Sequence, residues 1–437
     1  MENLPLFVNH YQTKLQIDNI FFDLYFVILF TLFVLITSRK SLNDRPLSFL
    51  QTNQMRGLGI TLIILNHICY YTDPPPFLYG VWSKAGMIGV AIFLILSGYG
   101  LCISLERKSI QYFFTNRIFK ILIPLVLAFL LLQLLYIFLT PDGGSLLLAL
   151  PRILFSMYSL DRKAWFIIFI LFWYCLLYIT YRFRLSTQQK ILFLGVVSCI
   201  IISLPQADYL AKANAFSFPF GCWLGLNSSW IQAKINKILN LKIILIIPGL
   251  MVSFFVSGFL VLHVEKIKNN LAYSIMLWTL LICTCLSIFY LGYLCFLKRI
   301  AFSVSSEVIC ATLVVALIYL NYTSQVFEQN VLERTNIYWG FVHSFVNILL
   351  ASILILFFSL TVRFQMYSLF LGFLGNISLE LFLIHNTFLV HFDFFLFRFP
   401  IVPGFIIYFF MVCLLSVILK QLSAIIMKRF FTLSESR

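Results

Sequence analysis

The sequence predicts an all-α fold, a polytopic transmembrane helical bundle of about 11–13 helices, and three observations carry that prediction. The 437 residues are 61% hydrophobic and 11% charged, with a mean hydropathy of +0.97, whereas a soluble domain is nearer one quarter charged. The apolar runs are long and do not alternate with period two, which selects helices over a closed barrel for satisfying backbone polar groups in hydrocarbon. Basic residues gather in every second segment between runs, from Arg39, Lys40, Arg45 and Arg56, through Arg107, Lys108, Arg117 and Lys120, to Lys428 and Arg429. That placement assigns the net charge of +15 to one membrane face rather than to nucleic acid, and the positive-inside rule makes the face cytoplasmic.

The elements follow in order. Residues 1–19 lack the basic region and small-residue cleavage site of a signal peptide, so 20–37 is expected to stay as a helix with its N-terminus outside. Further spans are expected near 57–72, 86–105, 118–139, 165–181, 190–204, 213–231, 243–262, 271–297, 303–321, 338–361, 368–391 and 402–428, with a cytoplasmic C-terminus. The runs 57–72 and 190–204 are short for a bilayer, and 213–231 carries Pro219 and Asn227, which is why the expected number is a range. The longest outer segment, 140–164, opens on the turn signal P-D-G-G. The ten cysteines lie almost entirely within apolar runs without metal-ligand spacing, so they read as small apolar fillers, with neither a zinc site nor a disulfide framework.

Ionisable side chains inside hydrocarbon are costly, and each is a functional candidate. Arg56 and His67 are eleven residues apart, which leaves them about 20° apart around a helix and about 16 Å apart along it. An anion-binding group and an imidazole able to accept a proton near neutral pH would thus share one groove. Ser97 and Tyr99 stand midway along the next helix, in L-S-G-Y-G, where small residues suit close packing and the two hydroxyls suit a polar pocket. Arg117 and Lys120 share a face just before Pro124 and extend the cationic end begun by Arg56. Trp165 opens a span as an interfacial aromatic, and a late helix carries Ser378, Glu380 and His385, with His385 at a depth comparable to His67. Glu380 must pair, protonate or border a wet cavity.

These pieces, in this order, resemble the acyltransferase 3 family of integral-membrane O-acyltransferases over residues 55–430. The resemblance is carried by Arg56 and His67 with R-G-L-G-I, by G-V-A-I-F-L-I-L-S-G-Y, by Arg117 with Lys120, and by G-N-I-S-L-E-L-F-L-I-H. It departs from the family pattern at Lys120, where a second arginine is usual, and in the helix that precedes the core. The resemblance implies a 1–54 extension with one extra transmembrane helix and a cytoplasmic loop, a 55–430 catalytic domain, a 431–437 cytoplasmic tail and no fused SGNH domain. It implies a multi-pass protein of the cell membrane that moves an acyl group, acetyl above all, from acyl-CoA to a hydroxyl of a polysaccharide, peptidoglycan or lipid-linked glycan, without a metal. On that scheme His67 and Arg56 are catalytic, and Arg56, Arg117 and Lys120 bind the donor. Ser97, Tyr99, Trp165, Ser378, Glu380 and His385 are then candidates for the pocket or for oxyanion stabilisation. Two other classes use the same kind of scaffold: a proton-coupled transporter or flippase of a glycan or lipid, and a glycan polymerase or ligase.

Overall fold

The structure, a computed structural model, describes residues 15–16, 22–40, 47–73, 79–107, 110, 113, 117–139, 165–238, 337–360, 366–391 and 401–435. The expected spans at 243–262, 271–297 and 303–321, and the segment 140–164, lie outside the described residues. The helices are α1 (Phe22–Ile36), α2 (Phe49–Tyr70), α3 (Tyr79–Arg107), α4 (Phe119–Leu139), α5 (Trp165–Arg182), α6 (Thr187–Ser203), α7 (Tyr209–Ala213), α8 (Ser217–Leu226), α9 (Ser228–Ile238), α10 (Ile337–Leu360), α11 (Leu369–Asn376), α12 (Ser378–His391) and α13 (Ile401–Glu435). Among the described residues, three helical stretches are long and apolar enough to cross a membrane, 85–107, 165–182 and 402–429, and the bent pair α11–α12 makes a fourth. The protein is all-α. Among the described residues the strands are four pieces of two or three residues: β1 (Leu15–Gln16) runs parallel to β3 (Thr72–Asp73), and β2 (Ser38–Lys40) antiparallel to β4 (Met366–Ser368). The first pair ties the end of α2 to the segment before α1, and the second ties the end of α1 to the start of α11.

Helix α2 is the axis of the described structure. It starts at Ser48, whose hydroxyl accepts from the Gln51 N–H at 3.4 Å, while Gln51 Oε1 accepts from the Leu47 N–H at 2.8 Å. Its first turns are polar yet buried: Gln51, Thr52, Asn53 and Gln54 are each under 9% exposed. Their amides are spent on neighbouring backbone. Gln51 donates to the Phe358 carbonyl (3.2 Å), Asn53 to the Gly372 carbonyl (2.7 Å), and Gln54 accepts from the Ser368 N–H (2.8 Å). Twenty-two residues make α2 about 33 Å long, enough to cross the hydrocarbon, and its polar groups face protein rather than lipid.

α2 packs against α3, α10, α11 and α12, and α3 packs in turn on α8. Glycines permit the closest of these crossings. A Cβ on Gly375 would lie 1.8 Å from the Asn53 carbonyl oxygen, and one on Gly221 would lie 2.1 Å from that of Ile95. Only a missing side chain lets the backbones meet there.

Two expected spans are not continuous helices. Residues 213–231 divide among the end of α7, α8 and the start of α9, with turns at Asn214 and Asn227, whose backbone N–H groups close local turns at helix C-caps. Residues 368–391 bend by 76° between α11 and α12 at Ile377. There Gly375 is held against α2, and the Lys420 ammonium of α13 donates to both the backbone carbonyl and side-chain oxygens of Asn376, satisfying acceptors that the broken helix leaves open.

Candidate active site

Arg56 and His67 lie on α2 as the spacing predicts, one near its start and one near its end. Helix α5 runs alongside in the opposite direction. Its Tyr174 interacts electrostatically with Arg56, while its first residues, Trp165 and Phe166, line a cavity with His67. The same pair of helices therefore accompanies the interval from the arginine to the histidine.

At the Arg56 end, Arg117 stands close enough to Arg56 for the two guanidinium groups to repel, and the Tyr174 hydroxyl lies near both, hydrogen-bonded to Ser97. Among the described residues no carboxylate pairs with Arg56. Two partly buried cations beside one another without a carboxylate form an incomplete electrostatic arrangement that an anion completes. Lys120, in the first turn of α4, is exposed on the same side as Arg117.

At the other end, His67 is 7% exposed and His385 1% exposed. Their Nδ1 and Nε2 atoms are 2.8 Å apart, with the ring planes 8° from parallel. Parallel planes at van der Waals spacing cannot bring two ring atoms within 2.8 Å, so the rings meet edge to edge, along their lone-pair directions. The cavity beside His67 has a volume of about 60 Å³, room for a few waters, and is walled by Asn66, Tyr70, Ser83, Trp165, Tyr209 and Asn214 among others. Asn66 is fixed by donation to the Trp82 carbonyl (2.7 Å). Asn214 donates to the Leu210 carbonyl (3.0 Å), and its own Oδ1 is buried without a hydrogen-bond partner among the described residues.

The structure divides the sequence-derived candidates between these two ends. Arg56, Arg117 and Ser97 meet around Tyr174, whereas His67, His385 and Trp165 meet around the cavity or beside it. Ser97 is therefore near the cations and not near His67. Tyr99 is buried on another face of α3, hydrogen-bonded to Gln232. Ser378 and Glu380 are buried at the start of α12, where Glu380 interacts with Lys420. Tyr174, Asn214, Lys420 and Tyr408, which donates to the His385 carbonyl (2.7 Å), were not candidates from the sequence. An aromatic inside an aromatic-rich run, or a lone amide just past a short helix, gives no signal of what it faces.

The model of the acyltransferase 3 family, described as an acyltransferase domain, matches residues 49–313, opening on the first residue of α2. No curated protein and no solved structure matches the chain.

Proposed function

This chain belongs to the acyltransferase 3 family, and from that premise we propose that it moves an acetyl group from acetyl-CoA to a hydroxyl of a cell-surface or lipid-linked saccharide. The observation that carries the reading is the division of α2: Arg56 beside Arg117 at one end, His67 on a cavity at the other, with α5 along both. The cationic end suits the phosphates of coenzyme A, held by Arg56 and Arg117 with Lys120 at the mouth. The thioester then lies about 16 Å further along α2, a distance suited to an extended pantetheine arm.

At that point His67 acts as general base. The acceptor hydroxyl gives its proton to the imidazole as its oxygen bonds to the thioester carbonyl carbon. The carbon–sulfur bond breaks, the thiolate takes the proton back from His67, and the products are an ester and free coenzyme A. The developing oxyanion calls for N–H or O–H donors on the cavity wall, for which the Trp165 indole and the Ser83 hydroxyl are candidates, the Tyr70 hydroxyl being donated to the Ser83 carbonyl. The Asn214 oxygen is an acceptor suited to a sugar hydroxyl, and the Trp165 ring is suited to the apolar face of a sugar. The protein would sit in the cell membrane with its N-terminus outside, so that the Arg56 end opens to the cytoplasm, where acyl-CoA is made.

The test is His67→Ala in cells that carry the acceptor. Loss of acetyl esters from surface saccharide, read by NMR of the purified glycan, is expected while the protein still inserts. Undiminished acetylation would sink the assignment.

A further inference from the structure

A general base is useful only if the proton-accepting nitrogen is bare when the acceptor arrives, and an imidazole has two nitrogens between which its single proton can be placed. The surroundings of His67 decide that placement. His385 donates from Nδ1 to the Leu381 carbonyl one turn earlier on α12, at 2.8 Å. That bond has one polarity, because a carbonyl only accepts. A neutral His385 is then left with a lone pair on Nε2, the atom that faces His67 Nδ1 at 2.8 Å. The proton between the rings therefore belongs to His67 Nδ1, and His67 Nε2 carries none. The opposite polarity needs a second proton on His385, an imidazolium at a site 1% exposed, which burial disfavours.

We infer that His385 is a positioning residue that holds His67 in the tautomer whose Nε2 accepts the acceptor's proton, an inference that rests on the reading of His67 as the base. The ring of His385 is fixed for the task. Leu381 holds its Nδ1, the Tyr408 hydroxyl of α13 holds its backbone carbonyl at 2.7 Å, and the Phe382 ring lies 5.9 Å away. The chain Leu381 carbonyl, His385, His67 also spreads charge during the reaction. When Nε2 of His67 receives the hydroxyl proton, the Nδ1 proton shifts toward Nε2 of His385, and the Leu381 carbonyl accepts the far N–H of the ring that gains charge. When the thiolate leaves, it takes the proton from His67 Nε2 and both rings return to neutral.

The experiment uses the full chain labelled with ¹⁵N-histidine in lipid nanodiscs, where imidazole nitrogen shifts report the tautomer. In parallel, transfer of radiolabel from acetyl-CoA is followed in membrane vesicles from cells that contain the acceptor. The unaltered protein is expected to show His67 protonated at Nδ1. His385→Ala should release that preference and lower kcat about tenfold to hundredfold, with the KM for acetyl-CoA within about twofold. His385→Gln, whose amide oxygen can accept where Nε2 did, should restore the Nδ1 tautomer and most of the lost rate. If His385→Ala does not accumulate, the unaltered protein and His385→Gln decide the matter by tautomer. His67 protonated at Nε2 in the unaltered protein, equal impairment by Ala and Gln, or an effect confined to KM overturns the inference. The expected tautomers with no transfer by the unaltered protein support tautomer control and overturn acetyl-CoA as the donor.

Discussion

Arg117 stands beside Arg56 in the first half of α2, two cations from separate parts of the chain with the Tyr174 hydroxyl close to both. Such a pair costs free energy until an anion arrives. Each charge-assisted hydrogen bond to a phosphate is worth about 1.5–3 kcal/mol, so Arg56→Ala and Arg117→Ala are each expected to raise the KM for acetyl-CoA by about tenfold or more. Steady-state transfer in vesicles at varied acetyl-CoA measures this. A loss confined to kcat at either position would remove the cations from donor binding.

Tyr174→Phe keeps the ring and removes the hydroxyl that meets Ser97. A net hydrogen bond of about 1 kcal/mol predicts a several-fold rise in the KM for acetyl-CoA with ordinary expression. Since Tyr174 and Ser97 share one bond, the double variant with Ser97→Ala should lose little more than the worse single variant. Additive losses would mean that the two side chains act separately.

Lys420 serves the break between α11 and α12 twice, by donating to Asn376 and by lying near the buried Glu380. Lys420→Met strands both, and because the ammonium is partly open to solvent it is expected to cost about 1–2 kcal/mol, the scale of a screened charge-assisted hydrogen bond. Adding Glu380→Gln should recover part of that cost. Thermal unfolding of the detergent-solubilised protein reads both, and a double variant less stable than Lys420→Met would show that Glu380 does not depend on Lys420.

Gly221→Ala and Gly195→Ala make a matched test of helix packing. The first places a Cβ 2.1 Å from the Ile95 carbonyl oxygen and should lower stability by about 1–3 kcal/mol. The second meets nothing within 4 Å and should raise stability slightly, by up to about 1 kcal/mol, through helix propensity. Equal melting temperatures for the two variants would contradict the close crossing of α3 and α8.

Much of this was legible in the sequence because it is local. Helix phase alone aligned Arg56 with His67, and run length alone marked α3, α5, α10 and α13. Pro219 and Asn227 warned of the interruption that became α7, α8 and α9. The bend at Ile377 was not read, although Gly375, Asn376 and Ser378 surround it, because the ammonium that completes it comes from α13, 44 residues further on. Topology put His385 and His67 at comparable depth, but a hydrogen bond across 318 residues depends on which helices are neighbours, and periodicity carries no such information. For the same reason Tyr99, two residues from Ser97, looked equivalent to it, when an angular step of about 200° sends the two side chains to different faces.

The interval between Arg56 and His67 on one unbroken helix is quantised. Each residue inserted between them would add about 1.5 Å and turn the far end by about 100°, so a single insertion spoils the alignment more than it lengthens the reach. Only changes near a whole number of turns, three or four residues at a time, return both ends to a common face. The gauge between the cationic end and the imidazole can therefore be reset only in jumps of about 5 Å, one helical pitch, which leaves fine adjustment to the neighbouring helices and to the length of the donor itself.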